Sequence, residues 1–374
     1  MKIVIVGTSY PYRGGIAAFT DRLATEFVKE GVDIEVVTFK LQYPSFLFPG
    51  KTQYSDAKAP EGFTISRKVN SINPLNWGKI GKEIREKNPD IVIFTYWMSF
   101  FAPCFNKIAK VVKRNGHTKC IGLIHNMIPH EKSILDKVFA PRFVQSMDGF
   151  IALSKSVLDD VASLDKQNKP KVFAPHPLYD HFGEIMNQAE AKKHLNLDPD
   201  YRYMLFFGLV RAYKGLDLLI DAFADSRLRK YPVKLLVAGE FYDDTKPYLE
   251  QIKKHDLQDC VIIENQYIKD DEVKYYFNAA DIVVQPYKSA TQSGVTQVAY
   301  HFEKPMLVTD VGGLGEIIPD GKVGYVVEPN PNAIADALVN FYENDRGGAF
   351  AEGVKEEKKK YAWSNMTDAV KKLL

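Results

Sequence analysis

The sequence predicts an α/β protein with two domains, each built on a parallel sheet. Short runs rich in Val and Ile alternate with segments of helical apolar spacing, which is typical of parallel sheets buried on both faces. The chain has 374 residues, enough for two domains of roughly 100–200 residues each. A polar stretch near the middle, Leu178 to Asp200, carries Gly183 and Pro199 and suits a crossing between domains.

The first half opens with a βαβ unit. The apolar run Lys2 to Gly7 predicts a buried strand, a helix is predicted from about Ile16 to Glu30, and a second strand from Asp33 to Phe39. The same alternation then continues, with helices predicted over Gly78–Glu86, Asn106–Arg114, Ile134–Ser146 and Lys155–Ser163, and strands over Asp90–Thr95, Cys120–Ile124 and Gly149–Leu153.

The second half repeats the pattern. Strands are predicted over Tyr203–Phe207, Lys234–Ala238, Val261–Glu264, Ile282–Gln285, Met306–Val308 and Gly324–Val327. Helices are predicted over Lys246–His255, Val273–Ala279, Val295–Phe302 and Pro331–Tyr342, with a terminal helix from about Ala362.

Charge divides the chain into a basic and an acidic half. Residues 1–176 carry 25 Lys/Arg against 16 Asp/Glu, net +9, and residues 177–374 carry 24 against 31, net −7. The basic half either meets an anionic acceptor or membrane surface or carries ordinary scattered surface charge. Three widely spaced cysteines predict neither a disulfide framework nor a zinc site. With no predicted signal peptide or membrane span, we expect a cytoplasmic protein, free or peripheral to the inner membrane.

Two glycine-containing loops lead from predicted strands into predicted helices. The loop Ser289 to Gly294 offers the free N–H groups of Gly294, Val295 and Thr296 to an anion such as a diphosphate. An ordinary helix cap by Ser293 or Thr291 is the alternative. Gly14 and Gly15 offer backbone N–H groups in the same way, although any tight strand-to-helix turn uses such a pair.

Charged and polar side chains stand at two further strand ends. Gly208, Arg211 and Lys214 follow one strand, and two cations on a glycine-containing loop suit a diphosphate clamp, or else form a solvated basic loop. His125 follows another strand at the edge where α/β folds place ligands. It is either a substrate-contacting group or a structural hydrogen-bonding group.

The order of motifs after Asp281 resembles a known family. The sequence resembles the donor-binding region of GT-B glycosyltransferases, specifically the retaining family 4 type. The motifs that carry this resemblance are, in order, Pro286-Tyr287, the Ser/Thr/Gly loop, a helix, Lys304-Pro305, Val308-Thr309-Asp310, Gly312-Gly313 and Glu316. The resemblance implies two Rossmann-like domains facing across a cleft, with a C-terminal helix crossing back to the first. Residues 1–177 with 361–374 would form the acceptor-side domain, and residues 178–360 the nucleotide-sugar-binding domain.

The resemblance also implies roles for individual residues. His125, Arg211 and Lys214 would be catalytic, with His125 contacting the donor sugar and the two cations meeting its diphosphate. The other residues of the expected donor site are Gly14, Gly15, Gly208, Tyr267, Ile268, Thr291, Ser293, Gly294, Val295 and Gln297. Of these, the backbone at Tyr267 and Ile268 would hold the nucleobase. Independently of the resemblance, the aromatic composition of the insert from Leu41 to Ser66 suits either an acceptor-sugar contact or packing on the domain surface.

One departure concerns the glutamates that this family carries eight positions apart around the donor helix. Here no acid lies between Asp281 and Glu303. Thr291, Gln292 and Ser293 fall near the first position and Gln297 near the second. Neutral hydrogen-bonding groups therefore replace these glutamates, or their role is lost.

The resulting expectation is transfer of a hexose from a UDP- or GDP-linked sugar to a glycan or lipid-linked acceptor hydroxyl, with retention, in cell-surface polysaccharide synthesis. No metal or other cofactor is expected, because neither ligand-facing loop has an Asp-x-Asp pattern, and no nucleic-acid partner is expected. The alternatives are a non-catalytic nucleotide-sugar-binding partner subunit and a UDP-sugar epimerase. A dinucleotide oxidoreductase is disfavoured because no G-x-G-x-x-G opens the first unit.

Overall fold

The computed structural model describes residues 1–44, 53–54, 58–127, 134–290 and 293–374, and the side chains of 134–136 are left undescribed. The chain divides into two compact units. Unit 1 comprises Met1–His176 together with Trp363–Leu374, and unit 2 comprises Pro177–Ala362. Each unit contains one parallel sheet with its own apolar clusters, so each is described separately.

Unit 1 has a seven-stranded sheet in the order β3-β2-β1-β4-β5-β6-β7, with every neighbouring pair parallel. Its strands are β1 Lys2–Val6, β2 Asp33–Leu41, β3 Thr64–Asn70, β4 Ile91–Tyr96, β5 Lys119–Ile124, β6 Gly149–Ala152 and β7 Lys171–Phe173. Its helices are α1 Gly15–Lys29, α2 Pro74–Glu86, α3 Ala102–Val112, α4 Ile134–Ser146, α5 Lys155–Leu164 and the C-terminal α13 Trp363–Lys371.

Helices cover both faces of this sheet because successive side chains of a strand point to opposite faces. On β1, Ile3 and Ile5 join the apolar cluster of α1 and α13, whereas Val4 and Val6 join that of α2, α3 and α4. All six residues of β4 are buried. The C-terminal helix therefore completes the core of unit 1, as the sequence predicted.

Unit 2 has a six-stranded parallel sheet in the order β10-β9-β8-β11-β12-β13. Its strands are β8 Arg202–Phe207, β9 Val233–Ala238, β10 Val261–Glu264, β11 Ile282–Gln285, β12 Met306–Thr309 and β13 Gly324–Val327. Its helices are α6 Gln188–His194, α7 Leu216–Phe223, α8 Lys246–Lys254, α9 Val273–Ala279, α10 Gly294–His301, α11 Pro331–Glu343 and α12 Gly347–Glu357.

The strand order of unit 2 reverses direction at β8. The chain proceeds from β8 to β9 and β10 on one side, and then to β11, β12 and β13 on the other. At such a switch point the loops beyond two adjacent strands diverge and leave a crevice for a ligand. The loops beyond β8 and β11 are the two that the sequence singles out.

The structure confirms the predicted fold class of two parallel-sheet, Rossmann-like domains. It also contains elements that the sequence analysis missed. β3 lies partly in the stretch assigned to an irregular insert, and most of its residues are not buried, so it lacks an apolar run. α6 lies in the stretch assigned to a polar crossing, where the Asn187 side chain accepts a hydrogen bond from Ala189 N–H. α12 was also missed.

Within the described residues, no helix combines the length and the apolar character needed to span a bilayer.

Candidate functional site

The loop after β8 brings three of the predicted site residues together. Gly208 has a φ of 98°, in the region that favours glycine. A Cβ at this position would lie 3.2 Å from Lys214 Nζ and 3.8 Å from Val295 Cγ2. A side chain at 208 would therefore occupy the space beside the amine, so glycine leaves this space open to a ligand.

Lys214 supplies an unpaired charge at this point. Within the described part of the chain, its amine has no acidic partner and no hydrogen-bond acceptor. Burial, and secondly the neighbouring charge of Arg211, lowers the pKa of Lys214 to about 8. Its Nζ lies 5.4 Å from the centre of the Tyr287 ring. Burial removes water from the Lys214 ammonium, and an anion bound here would stabilise the charge in place of that water.

The loop after β11 is fastened to the loop after β8. Lys288 N–H donates to the Tyr213 carbonyl at 2.7 Å, and a Cβ at Gly215 would overlap the Pro286 carbonyl oxygen. Thr309 Oγ1 donates to the Tyr287 carbonyl at 2.5 Å. These contacts hold Tyr287 in place beneath Lys214.

Ser293 precedes α10 but its side chain does not cap the helix. Its Oγ lies 3.3 Å from the Tyr287 hydroxyl instead. The interpretation of Ser293 as an ordinary cap is therefore wrong, while Thr291, the other candidate cap, lies outside the described residues. No side chain of the described residues caps this turn, which leaves backbone N–H groups for a ligand.

Gly294 and Gln297 lie in the first turn of this helix. A Cβ at Gly294 would lie 2.8 Å from Cε2 of Tyr179. Gln297 is buried, and its Oε1 has no hydrogen-bond partner among the described residues. A buried oxygen without a partner is costly, which marks Gln297 as a residue with unused hydrogen-bonding capacity.

Arg211, Tyr267 and Ile268 are the other residues of unit 2 that the sequence assigned to the donor site. The Arg211 guanidinium carbon is 4.9 Å from the centre of the exposed Tyr242 ring. Tyr267 and Ile268 follow β10 at the same sheet edge. The Tyr267 side chain is 65% exposed, whereas Ile268 is buried in the cluster that contains Tyr287.

In unit 1, His125 follows β5 and its N–H donates to the Tyr96 carbonyl at 2.8 Å. The rings of His125 and His176 both pack edge-on against Phe19, at 4.8 and 4.9 Å between centroids. Burial, and secondly His176, lowers the pKa of His125 to about 3. Its Nε2 is buried without a partner in the described residues. His125 is therefore a neutral hydrogen-bonding group at pH 7.

Gly14 and Gly15 are exposed at the start of α1, and the space that a Cβ at Gly14 would occupy is open. The sequence analysis missed the residue that holds their loop, Asp21. This carboxylate accepts hydrogen bonds from Ser9 Oγ and from Tyr10 N–H, the latter at 3.2 Å. Burial raises the pKa of Asp21 to about 6. Phe19, His176, Tyr179 and Tyr287 were also missed, and of these only Tyr287 stands in a recognised motif.

Sequence profiles of two families match consecutive parts of the chain. The glycosyl transferases group 1 profile matches residues 187–361, and the glycosyltransferase family 4 profile matches residues 13–180. The chain is a GT-B glycosyltransferase of the family 4 type.

Two relatives of this glycosyltransferase match over most of their lengths. An uncharacterized glycosyltransferase of Methanocaldococcus jannaschii is 26% identical over 376 residues, which cover 100% of this chain and 97% of the relative. The O-antigen chain mannosyltransferase C of Escherichia coli is 24% identical over 350 residues, covering 90% and 87%. The solved structure of Anabaena HepE in complex with UDP has a TM-score of 0.75 at 14% identity and covers 100% of this chain and 99% of that one, which shows the shared fold.

Proposed function

We propose that this glycosyltransferase moves a hexose from a UDP- or GDP-linked sugar to a hydroxyl of a glycan or lipid-linked acceptor, with retention of configuration, in cell-surface polysaccharide synthesis. One observation carries the proposal. Within the described residues, the Lys214 ammonium has no acidic partner and no side chain caps α10, and a Cβ at Gly208 would approach both Lys214 and Val295 of this helix. A diphosphate needs such a cation and such N–H groups.

The proposed chemistry is stabilisation of the departing diphosphate. As the bond between the sugar and the diphosphate breaks, negative charge grows on the diphosphate oxygens, and Lys214, Arg211 and the N–H groups of Gly294 and Val295 meet it. The diphosphate takes up the proton of the acceptor hydroxyl on the face that it leaves, which gives retention. His125 is neutral, so its proposed role is to hydrogen-bond a sugar hydroxyl.

The relatives support the choice of substrates. HepE has been solved in complex with UDP, and a second structure of that protein contains UDP-glucose. The Escherichia coli relative is named for mannosyl transfer to an O-antigen chain. We therefore propose UDP as the first nucleotide to test and GDP as the second, with Tyr267 and Ile268 beside the base and Gln297 bonded to the ribose or the sugar.

We further propose that no metal is essential, because Lys214 and the start of α10 already supply positive charge to the diphosphate. The test is calorimetric titration with UDP, GDP and ADP, in EDTA and then with Mg²⁺. Saturable binding of one nucleotide in EDTA, abolished in Lys214→Ala, supports the proposal. The control is Lys288→Ala, because Lys288 Nζ is already paired with Asp217 at 2.6 Å. Binding that appears only with Mg²⁺ would refute the metal-independent part.

A non-catalytic nucleotide-sugar-binding subunit is the second candidate, because the chain lacks the two glutamates that the family carries near α10. Incubation of the purified protein with each nucleotide sugar and a panel of acceptors separates the two. Release of free nucleoside diphosphate identifies an enzyme, and binding without release identifies a binding subunit.

We also propose that unit 1 contacts the anionic inner surface of a membrane through α3 and α4. Two grooves meet at Lys110, with volumes of about 330 and 500 Å³. Both are lined by cations and apolar groups, and Asp165, which also lines the second groove, is paired with Lys171. Among the described residues, Lys107, Lys110, Arg142 and Lys166 have no acidic partner. Phe139 and Leu164 line the same grooves and suit the boundary between headgroups and acyl chains.

Vesicle sedimentation tests this contact. Binding to phosphatidylglycerol vesicles, but not to phosphatidylcholine vesicles, is expected, with each cation near the surface contributing about 1 kcal/mol. The double substitution Lys110→Ala and Arg142→Ala should weaken binding roughly 30-fold on that basis. Lys40→Ala with Lys58→Ala removes the same charge from exposed positions elsewhere in unit 1 and is the control. Equal loss in both pairs would contradict the proposed surface.

A further inference from the structure

We infer that Tyr179 is a positioning residue for the donor-binding end of α10, and that residues 178–183, which we call the strap, hold this helix at its two ends. The inference rests on the proposed function, since it takes the start of α10 as the diphosphate site. It concerns a stretch of chain that the sequence predicted to be the linker between the two domains.

The first contact is between Tyr179 and Gly294. A Cβ at residue 294 would lie 2.8 Å from Cε2 and 3.5 Å from Cζ of the Tyr179 ring. Carbon atoms in contact stay about 3.5–4.0 Å apart, so a side chain at 294 would have to displace the ring. The backbone φ of Gly294 does not lie in the positive region that favours glycine. Its backbone would accept any residue, and the ring of Tyr179 is what requires glycine here.

The second contact lies at the other end of the helix. The imidazole Nε2 of His301, the last residue of α10, donates to the Gly183 carbonyl at 2.6 Å. Between these two contacts, Asp180–Phe182 form one turn of 3₁₀ helix. The strap therefore contacts α10 at its first residue, through the Tyr179 ring, and at its last residue, through the Gly183 carbonyl.

The strap is bonded to another part of unit 2 at its first residue and lies close to α9 at its last. Leu178 N–H donates to the Tyr361 carbonyl at 3.0 Å. Gly183 has a φ of 101°, and a Cβ there would lie 2.9 Å from Cδ of Lys274. Leu178, Tyr179 and Phe182 also pack against the apolar cluster that contains Val298, Ala299 and Tyr300 of α10. Because the strap is anchored, the ring of Tyr179 can fix where the first turn of α10 lies.

The consequence concerns the donor. The N–H groups of a first helical turn bind a diphosphate only when they are held at hydrogen-bonding distance from its oxygens. Loss of the Tyr179 ring frees this turn to move, whereas a larger residue at 294 pushes it away from the ring. Both changes should weaken donor binding, and they should do so through the same contact.

A double-mutant cycle tests this coupling. Gly294→Ala is expected to lower the affinity for the nucleotide at least tenfold when Tyr179 is present, and less than twofold in a Tyr179→Ala background. Tyr179→Ala alone should raise the KM for the donor while the KM for the acceptor stays unchanged. Equal effects of Gly294→Ala in the two backgrounds would overturn the inference.

Phe182→Ala is the matched control, because it removes another ring of the strap from the same apolar cluster. It should lower the melting temperature but change nucleotide affinity less than twofold. An affinity loss equal to that of Tyr179→Ala would refute a positioning role specific to Tyr179.

The ligand-free melting temperature separates this inference from the proposed function. Gly294→Ala should lower it when Tyr179 is present and leave it unchanged when residue 179 is Ala. If the wild-type protein binds no nucleotide, the proposed function fails and the inference fails with it. If nucleotide binds but Gly294→Ala lowers the melting temperature equally in both backgrounds, only the inference about Tyr179 fails.

Discussion

The amine of Lys214 lies 5.4 Å from the centre of the Tyr287 ring, over its face. The electron-rich face of the ring attracts the ammonium group, and the ring also shields the ammonium from water on that side. Tyr287 in turn lies 3.3 Å from Ser293, the residue before α10. One tyrosine thus links the cation of one loop to the start of the helix in the next.

Replacement of Lys214 by Ala should lower kcat/KM about 100-fold. A single charge that meets developing negative charge is typically worth about 3 kcal/mol in the transition state. Steady-state kinetics with the donor identified by titration measure the effect. Lys288→Ala, which removes a lysine already paired with Asp217, should stay within threefold of wild type. A Lys214→Ala enzyme at full rate would exclude the proposed stabilisation of the diphosphate.

The rate should fall at high pH because of Lys214. Its pKa is lowered to about 8, so the charged form predominates below pH 8 and is lost above it. The profile of kcat/KM reports the free enzyme and should decline tenfold per pH unit above about pH 8. Lys214→Arg should remove this decline, since arginine stays charged throughout. A decline that persists unchanged in the arginine variant would assign it to another group.

Substitutions of Tyr287 should separate its hydroxyl from its ring. Tyr287→Phe removes only the contact with Ser293 and should cost about 1 kcal/mol, or fivefold in donor affinity. Tyr287→Ala admits water to Lys214, so the alkaline decline should move above pH 8, toward the ordinary lysine pKa. Calorimetric titration measures the change in donor affinity, and pH profiles of kcat/KM measure the change in the pH of the decline. A decline that does not move in Tyr287→Ala would show that the ring does not shield the amine.

Asp21 should make unit 1 less stable as pH rises through 6. Its folded-state pKa is raised to about 6, whereas an unfolded aspartate titrates near 3.9. The folded chain therefore binds more protons between about pH 4 and 6, and stability falls with rising pH over this window. Urea unfolding at pH 4.5 and 7.5 should show a larger loss for wild type than for Asp21→Asn. Identical losses would remove Asp21 as the cause.

The sequence predicted the parts of the fold that depend on local pattern. Apolar runs such as Ile282–Gln285 mark strands buried on both faces, and these were found within a residue or two. β3 and α6 were missed because an edge strand and a short polar helix carry no such pattern. The structure also shows a local helix cap at Ser154, whose Oγ accepts from Val157 N–H three residues away.

The charged stretch 356–360 shows where local pattern misleads. The run of charges from Glu356 to Lys360 predicts a solvated face, yet Glu357 is only 5% exposed and is paired with Lys322 and Lys360. Lys322 lies far away in the sequence, so no spacing rule indicates this pair. A buried carboxylate needs such partners to offset its desolvation.

The sequence by itself determined the two parallel-sheet domains and the family, because buried strands and the loops after them are recognisable from the pattern of consecutive residues. It also singled out Gly208, Lys214 and Gly294 as candidates. Only the tertiary structure decided the contacts between distant segments: Tyr287 lies beneath Lys214, Tyr179 lies against Gly294, and His125 and His176 both pack against Phe19. The physical reason is that burial and contact between distant segments depend on how whole elements pack, and these in turn set the pKa of Lys214, His125 and Asp21.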